Sequence, residues 1–392
     1  MTYLKLLPGK EKSLERRHPW IFSGALKKQD NPPESGSLVT VTDHRGNFMA
    51  RGHFQKDASI AVRVLSFEDI PIDSNFWRET IKKARALRDA LDLTENTDTN
   101  AYRLVHGEGD GVPGLIIDIY NQTAVIQSHS DGILRSINDI ANAITKVFGG
   151  LISTIYARPE STGGNTSDSD DKFLLGSRIE TVIKENGIFF KINVVTGQKT
   201  GFFLDQRENR SLAGKLSKGK TVLNCFCYSG GFSMYALAYQ AARVDSVDIS
   251  QKAMELLDEN LELNHFKENY QNFTANVLKF LDNPEVDAYD IVIVDPPAFA
   301  KSLHKRHNAV QAYKRLNLLA LKKVKPGGFM FTFSCSQVVG VQLFHDTIMA
   351  ACIESNRNVR IVRQLSQGPD HPVNIYHPEG HYLKGLLLYI EN

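Results

Sequence analysis

The feature that most constrains the fold of this chain is an alternation of short apolar runs and helical stretches after about residue 196. The apolar runs predict buried strands at Thr221–Phe226, Val244–Val247, Ile291–Val294 and Phe329–Phe333. Helical patterns follow or separate them, near residues 232–241, 250–264, 308–323 and 338–354. This alternation predicts an α/β fold, with a mainly parallel sheet and helices on both of its faces. In such sheets, ligands bind beyond the carboxyl ends of the strands.

The N-terminal part of the chain has a different pattern. Three short runs of strand-forming residues, separated by turn signals, occupy Ser37–Thr42, Phe48–Gly52 and Ile60–Leu65. They predict a small β-barrel-like module. A polar stretch around residues 67–75 then indicates a domain boundary.

Helices and strands are mixed in the middle of the chain. Helices are predicted over Phe76–Leu91 and Arg135–Phe148, and strands over Gly114–Tyr120, Thr123–Ser128 and Ser153–Ala157. Residues 161–171 contain no apolar side chain and predict a mobile loop. Asn186-Gly187 predicts the turn of a hairpin between Glu180–Lys184 and Ile188–Val195. We therefore expect a module over residues 1–70, a central α+β domain over 71–192 and the α/β domain over 193–392.

Composition limits the class of protein. With 42% hydrophobic and 23% charged residues, the chain resembles an ordinary globular protein. No apolar run approaches the roughly 20 residues of a membrane span, and the N-terminal apolar run is too short for a signal peptide, so we expect a cytoplasmic location. The four cysteines and twelve histidines show no disulfide pattern and no metal-ligand spacing. No metal is therefore expected.

Charge is distributed unevenly along the chain. The net charge of +2 does not by itself indicate a nucleic-acid-binding protein. Residues 1–66, however, hold 11 Lys and Arg against 6 Asp and Glu. Lys301, Lys305 and Arg306 form a second basic cluster. Such patches can meet phosphates, although a solvated surface is the alternative.

The segment Asn224–Ser233 links a predicted strand to a predicted helix. Its Gly230 and Gly231 allow the backbone to approach a ligand closely, but the segment is neither GxGxxG nor a P-loop. Asp248 ends the next strand, where a carboxylate can accept hydrogen bonds from both hydroxyls of a ribose. Alternatively, Asp248 caps the helix that starts near Ser250. Together, the glycines and the carboxylate favour a cofactor that contains a nucleoside.

A polar connection precedes that glycine segment. It places four polar side chains close together, at Lys199, Asp205, Gln206 and Arg207. Polar density of this kind is typical of the wall of a binding site. Asp205-x-x-Glu208 also fits a capping box, in which case Asp205 simply starts a helix. The residues alone leave both interpretations open.

Two further candidates follow predicted strands. Asp295 comes directly before Pro296-Pro297, which end the strand and fix an extended turn. The Asp295 carboxylate could there accept a hydrogen bond from a base amine, or it could merely form the turn. Cys335 lies between two serines at the end of another strand. A lone cysteine usually packs as a small hydrophobe, but this position also suits a nucleophile.

Taken together, these segments resemble class I S-adenosylmethionine-dependent methyltransferases. The chain is most similar to the PUA-domain ribosomal RNA cytosine-5 methyltransferases of the bacterial large subunit. The similar segments are Arg17–Gly24, Gly197–Arg210, Asn224–Ser233, Asp295–Phe299 with Lys301, Ser334–Ser336, Asp370–Pro372 and Tyr382–Lys384. The resemblance implies a PUA RNA-binding module, a central α+β domain and a Rossmann-like methyltransferase domain.

The resemblance also implies roles for individual residues. The expected contacts of S-adenosylmethionine are Asp205, Gln206, Arg207, Cys227, Tyr228, Ser229, Gly230, Gly231, Asp248, Asn276 and Asp295. The expected contacts of ribosomal RNA are Arg17, His18, Trp20, Lys199, Phe299, Lys301, Lys305 and Arg306. Asn276 stands where the family commonly has an aspartate, and its side-chain oxygen can still accept from the adenine amine.

The implied reaction begins with Cys335 adding to C6 of cytosine, which makes C5 nucleophilic toward a methyl group. Asp295 is expected to hold the base edge and to help protonate N3. Ala298 stands where many RNA cytosine-5 methyltransferases have a second cysteine, so the group that removes the C5 proton stays unassigned. The base would have to be exposed or flipped out of the folded RNA.

Two other functions fit the same residues. The first is methylation of an exocyclic amine or ring nitrogen of guanine or adenine, with Asp295 binding the amine, Phe299 stacking on the base and Cys335 structural. The second is an RNA-binding ribosome assembly factor without catalytic activity. A homodimer formed through the N-terminal module is also compatible with the sequence.

Overall fold

The computed structural model describes residues 2–159, 172–300 and 302–392. The predicted loop at 161–171 and Lys301 lie outside the described residues. The chain forms two compact units that alternate along the sequence. The first unit contains residues 1–184, 192–204 and 369–380, and the second contains 185–191, 205–368 and 381–392. The division into three domains predicted from the sequence stays a prediction.

A five-stranded sheet opens the first unit, in the order β1-β3-β4-β5-β2. Its elements are β1 (Thr2–Lys5), α1 (Lys12–Glu15), β2 (Trp20–Phe22), β3 (Leu38–Thr42), β4 (Phe48–Phe54) and β5 (Ile60–Ser66). Val41 and Val62, which are fully buried, belong to its own apolar core. The three strands predicted here are confirmed, whereas β1 and β2 were missed because they are only four and three residues long, too short for a recognisable pattern.

A second five-stranded sheet follows in the same unit, in the order β10-β9-β8-β7-β6. The elements are α2 (Ser74–Ala90), β6 (Ala101–His106), β7 (Leu115–Tyr120), β8 (Thr123–Ser128), α3 (Asp131–Arg135), α4 (Ile137–Phe148), β9 (Thr154–Pro159) and β10 (Lys172–Leu175). The helices α2 and α4 pack against each other. The predicted α+β mixture is confirmed. A separate hairpin pairs β11 (Glu180–Glu185) with β12 (Ile188–Asn193) through the predicted turn.

The second unit is built on a seven-stranded sheet in the order β15-β14-β13-β16-β17-β19-β18. Its strands are β13 (Thr221–Cys225), β14 (Arg243–Asp248), β15 (Tyr270–Thr274), β16 (Tyr289–Val294), β17 (Val324–Ser334), β18 (Val359–Leu365) and β19 (Lys384–Ile390). Its helices are α5 (Arg207–Leu216), α6 (Gly231–Ala238), α7 (Gln251–Leu263), α8 (Val277–Asp282), α9 (Arg306–Lys322) and α10 (Val341–Ser355).

The predicted α/β class and the mainly parallel sheet are confirmed. The five strands β15, β14, β13, β16 and β17 are parallel to one another, and only β19 runs antiparallel, between β17 and β18. The order of the strands reverses between β13 and β16, so a crevice is expected at their carboxyl ends. Val294 pairs with Thr332 in the register of β16 with β17. This register brings Asp295 and Cys335, which follow the two strands, to the same edge of the sheet.

Within the part of the chain that the structure describes, no helix combines the length and the apolar character needed to cross a membrane.

Candidate active site

The glycine turn after β13 requires glycine for steric reasons. Gly230 has a φ of +79°, and a Cβ added there would lie 2.8 Å from Leu257 Cγ. Gly231, the first residue of α6, has the same limitation, because a Cβ would lie 2.9 Å from Arg210 Cδ. The turn therefore presents bare backbone at the point where the strand order reverses, which suits close contact with a bound nucleoside.

Asp248 ties this turn to the next strand. Its Oδ2 accepts a hydrogen bond from the Tyr228 backbone N–H at 3.0 Å, and its Oδ1 accepts from the Ser250 N–H at 2.9 Å. The N-cap of α7 is Ser250, whose hydroxyl accepts from the Ala253 N–H. Asp248 is thus not the N-cap of that helix, and its carboxylate lies beside the glycine turn, as a ribose contact would require.

Other residues expected to contact a cofactor line the same turn or a neighbouring loop. Cys227 is buried with its Sγ 3.7 Å from Met254 Sδ, and burial raises the pKa of the Cys227 thiol well above its ordinary value. Ser229 is buried, and its carbonyl accepts from Asn260 Nδ2 at 2.9 Å. Asn276 is exposed and caps α8. The residue before it, Ala275, donates its backbone N–H to the Asp248 carbonyl.

The polar connection before β13 reaches the other candidate carboxylate. Gln206 is buried, and its Nε2 donates to Asp295 Oδ2 at 3.0 Å. The Gln206 Oε1 accepts in turn from Asn209 Nδ2 at 2.6 Å. Asp205 makes no capping box, because α5 begins at Arg207 without a side-chain cap. Instead, Asp205 Oδ2 accepts from the Tyr382 hydroxyl at 2.6 Å.

A buried ion pair supports the glycine turn. The Arg210 guanidinium donates to both oxygens of Glu185, at 2.8 and 2.7 Å, and both side chains are almost fully buried. The Tyr235 hydroxyl donates to the same carboxylate at 3.0 Å. Arg207, also buried, contacts Glu208 at 3.3 Å. The Arg210–Glu185 pair was not predicted, because the two residues are separated by a hairpin and a polar connection.

Tyr313 of α9 lies near enough to Cys335 and Asp295, at the same sheet edge, for their charges to act on its hydroxyl. The pKa of Tyr313 is raised to about 12, mainly by burial; the Cys335 and Asp295 charges act in the same direction, and a hydrogen bond with Ser334 acts against them. Cys335 is half-buried between two buried serines, and the Ser336 hydroxyl donates to the Ala300 carbonyl at 2.8 Å. Sequence reasoning missed Tyr313, since a tyrosine in an amphipathic helix has the pattern of a core residue.

Lys384 was missed as a site residue too. It is the first residue of β19, it is buried, and its Nζ donates to the Ser336 carbonyl at 2.7 Å. No local pattern announces this lysine, because only the pairing of β17 with β19 brings it next to Cys335.

Residues expected to contact RNA fall into both units. Arg17 is exposed with a φ of +59°, and the His18 and Trp20 rings lie within 6.0 Å of each other; all three belong to the first unit, as does Lys199. The exposed Lys199 ammonium lies 4.9 Å from the Phe203 ring. In the second unit, Phe299 is half-buried against Tyr313, and Lys305 and Arg306 are exposed at the start of α9.

Two other features belong to the first unit. A cavity of about 510 Å³ in its N-terminal sheet is lined by Lys27, Lys28 and Lys56 among other residues. Separately, one ligand atom each from His18, His377 and Glu379 lie within 4.8 Å of one another. This set has the composition of a metal site, so the expectation of no metal stays a prediction.

Two protein families match this chain. A PUA-like domain matches residues 4–67, and an S-adenosylmethionine-dependent methyltransferase matches residues 163–387. The chain is 36% identical to "Ribosomal RNA large subunit methyltransferase I" of Shewanella frigidimarina, over 98% of both chains. It is also 36% identical to the protein of that name from Photobacterium profundum, over 100% of both.

Solved structures show the same fold. The crystal structure of SMU.776, provisionally assigned as a methyltransferase and complexed with SAH, superposes with a TM-score of 0.87 at 22% identity. That match covers 99% of this chain and 100% of the other. Trm5b of Pyrococcus abyssi is more distant, with a TM-score of 0.53, 18% identity and coverage of 70% and 75%.

Proposed function

This chain belongs to the S-adenosylmethionine-dependent methyltransferase family that includes ribosomal RNA large subunit methyltransferase I, and we propose that it forms 5-methylcytosine in 23S ribosomal RNA through a Cys335 adduct. It carries an N-terminal PUA-like domain and a Rossmann-like methyltransferase fold. Its cofactor is S-adenosylmethionine. Large-subunit ribosomal RNA as the substrate, and a cytoplasmic location with it, are part of the proposal.

The residues of the glycine turn fit that cofactor. The backbone at Gly230 and Gly231 has no side chain in the way, and the Asp248 carboxylate lies beside it. This arrangement suits the ribose of S-adenosylmethionine and the methionine group attached to it. Gln206 and Asp205 would line the same pocket, with Asn276 toward the adenine. When bound, S-adenosylmethionine supplies an electrophilic methyl group, which the activated C5 carbon accepts.

The observation that carries the proposal is the register of β16 with β17, which brings Asp295 and Cys335 to the same edge of the sheet. Asp295, held by Gln206 at 3.0 Å, would accept from the cytosine amine and assist protonation of N3. Cys335 would attack C6, and the electrons of the C5=C6 bond would move toward N3, leaving C5 nucleophilic. A thiol is suited to this step because its thiolate is both a good nucleophile and a good leaving group.

Methylation of an amine or ring nitrogen is less well supported. That reaction would use Phe299 as a stacking platform for the base, but the Phe299 ring packs at 4.7 Å from Tyr313 and is half-buried. It would also leave Cys335 without a role, although a thiol at this sheet edge is what the cytosine-5 reaction needs.

Replacing Cys335 with Ala tests the proposal. Methyl transfer to large-subunit RNA should fall by at least about a thousandfold, whereas Cys352→Ala, which removes a half-buried thiol of α10, should leave it unchanged. RNA that contains 5-fluorocytosine should form a complex that survives denaturation, because fluorine cannot leave C5 as a proton. Substantial methyl transfer by the Cys335→Ala protein would refute the cytosine-5 mechanism.

We also propose that the RNA backbone meets Arg17, His18, Trp20, Lys199, Lys301, Lys305 and Arg306. Lys305 and Arg306 place two positive charges at the N-terminus of α9, which is itself the positive end of the helix dipole. A bound phosphate would neutralise this repulsion. Replacing both with Ala should raise KM for RNA. The slope of log affinity against log salt concentration should fall by the amount expected for about two phosphate contacts. Lys322→Ala, at the other end of the same helix, is the control; equal effects of the two changes would contradict this role.

A further inference from the structure

Lys384 is buried beside the residue proposed as the nucleophile. In the antiparallel pairing of β17 with β19, Lys384 lies opposite Ser334, which directly precedes Cys335. Only 4% of Lys384 is exposed. Lysine is almost never buried to this extent unless it is paired, because an ammonium loses its hydration there. The position of Lys384 therefore needs a chemical explanation.

The hydrogen bonds of Lys384 direct its nitrogen toward the Cys335 segment. Its Nζ donates to the Ser336 carbonyl and to the Tyr382 carbonyl, both at 2.7 Å. These two acceptors use two of the nitrogen's three outward positions. The third position holds an N–H in the ammonium and a lone pair in the neutral amine. The side chain thus spans the backbone of Cys335, and the Cys335 charge acts on it.

The charges around Lys384 favour proton exchange near neutral pH. Burial lowers the pKa of Lys384 to about 8, although the Cys335 thiolate acts in the opposite direction. Tyr313 of α9 also faces Cys335, but its pKa of about 12 keeps it protonated. The carboxylates nearby are Asp295, after β16, and Asp205, which accepts from Tyr382.

We propose that Lys384 activates Cys335: its amine takes the thiol proton, and the resulting ammonium stabilises the thiolate that attacks C6. The S–H bond breaks as an N–H bond forms, and an S–C6 bond then forms as the C5=C6 electrons move toward N3. After methyl transfer, loss of the C5 proton to the unassigned base re-forms the C5=C6 bond, the electron pair of the S–C6 bond returns to sulfur, and the ammonium can return its proton to the thiolate. Lys384 thus acts on the cytosine only through Cys335, and the inference rests on the proposed function of Cys335.

The test measures the thiol itself and needs no RNA. Alkylation of Cys335 by iodoacetamide in the full-length protein is followed by peptide mass spectrometry from about pH 6 to about pH 10. In the wild-type protein we expect half-maximal reactivity at least about one pH unit below the value of about 8.5 for an ordinary cysteine. Lys384→Met should raise that midpoint by about one to two pH units. At neutral pH, alkylation should then slow roughly 10- to 100-fold.

Two other variants separate charge from packing. Lys323→Met removes another buried lysine, whose Nζ donates to the Asn283 and Val286 carbonyls at 2.7 and 2.6 Å, and it should leave the profile unchanged. Lys384→Arg keeps a cation that can stabilise the thiolate although it cannot take the thiol proton; since alkylation reports the thiolate fraction and the proton can leave to solvent, it should stay within about threefold of wild type. The inference is overturned if wild-type Cys335 titrates like an ordinary thiol, if Lys384→Met leaves its profile unchanged, or if Lys384→Arg is as slow as Lys384→Met.

Methyl transfer distinguishes this inference from the proposed function. Lys384→Met should lower kcat at neutral pH by the same 10- to 100-fold and regain much of it at high pH, a recovery that structural damage would not produce. If Cys335→Ala retains turnover, the proposed function itself fails. If Cys335→Ala is inactive but Lys384→Met changes neither alkylation nor the pH profile of kcat, only the role of Lys384 is wrong.

Discussion

Replacing Glu185 with Gln would test the buried ion pair that lies under the glycine turn. Glu185 is fully buried and Arg210 is only 3% exposed, and two hydrogen bonds of 2.8 and 2.7 Å join them. Burial lowers the pKa of Arg210, but the Glu185 carboxylate outweighs that effect and raises it. Glutamine keeps the size of the side chain and removes its charge, so Arg210 would stay protonated without a counter-ion.

The expected cost follows from this burial. Breaking a buried pair by neutralising one partner costs about 3 to 5 kcal/mol, mostly because the other charge remains desolvated. For a unit of this size, that loss corresponds to a fall in Tm of about 6 to 20 °C. S-adenosylmethionine affinity should fall as well, because Arg210 Cδ lies 2.9 Å from the position of a Cβ on Gly231.

Urea unfolding, calorimetry and titration with S-adenosylmethionine would measure these effects. Replacing both partners, by Glu185→Leu with Arg210→Met, should recover most of the lost stability, since no unpaired charge remains. The exposed Glu79–Lys82 pair is a matched control, and Glu79→Gln should cost less than about 0.5 kcal/mol. A loss below about 1 kcal/mol in Glu185→Gln, or a double variant no more stable than the single one, would refute the reasoning.

Three further predictions concern other parts of the structure. Gly230→Ala should destabilise the protein by about 2 to 4 kcal/mol and weaken cofactor binding, because its φ is +79° and the new methyl would meet a leucine side chain at 2.8 Å; calorimetry showing wild-type stability would contradict this. Gln206→Leu should lower kcat about tenfold, since it removes the 3.0 Å hydrogen bond to Asp295; steady-state kinetics with unchanged kcat would argue against that role. Burial and the Arg63 cation lower the pKa of His53 to about 4. In the unfolded chain His53 binds a proton near pH 6.5, whereas in the folded chain it binds one only near pH 4. The free energy of unfolding should therefore fall by about 2 kcal/mol between pH 7 and pH 5. His53→Gln should flatten this dependence in urea unfolding, and an equally steep curve in the variant would assign it to other groups.

Local sequence patterns predicted most of the sheet in the second unit. The Ile291–Val294 and Phe329–Phe333 runs are dense in strand-forming residues, and both lie inside strands that the structure contains. Strand β18, with Arg360 and Arg363, is mostly exposed at the sheet edge and lacks such a run. Strand β19 is rich in leucine, which does not distinguish a strand from a helix over seven residues.

The candidate site was predictable only where chemistry follows a strand directly. Asp248 ends its strand and Asp295 and Cys335 come directly after theirs, and the rule for open sheets places such residues in one crevice. Tyr313 and Lys384 could not be found in this way. Tyr313 comes near Cys335 on helix α9, and Lys384 comes near it only because β19 pairs with β17. Hydrogen bonds between distant segments, such as Gln206 with Asp295, leave no local signal either.

The alternation of the two units along the sequence means that neither is a portable module. A fragment that starts at residue 193 would lack Glu185 and would leave Arg210 as an unneutralised charge in its core. A fragment that ends at residue 184 would lack Asp370, whose carbonyl accepts from Arg88 at 2.7 Å and whose carboxylate accepts from the Arg103 N–H at 3.0 Å. Gene fusion or domain exchange at these points would therefore separate buried arginines from their hydrogen-bond partners.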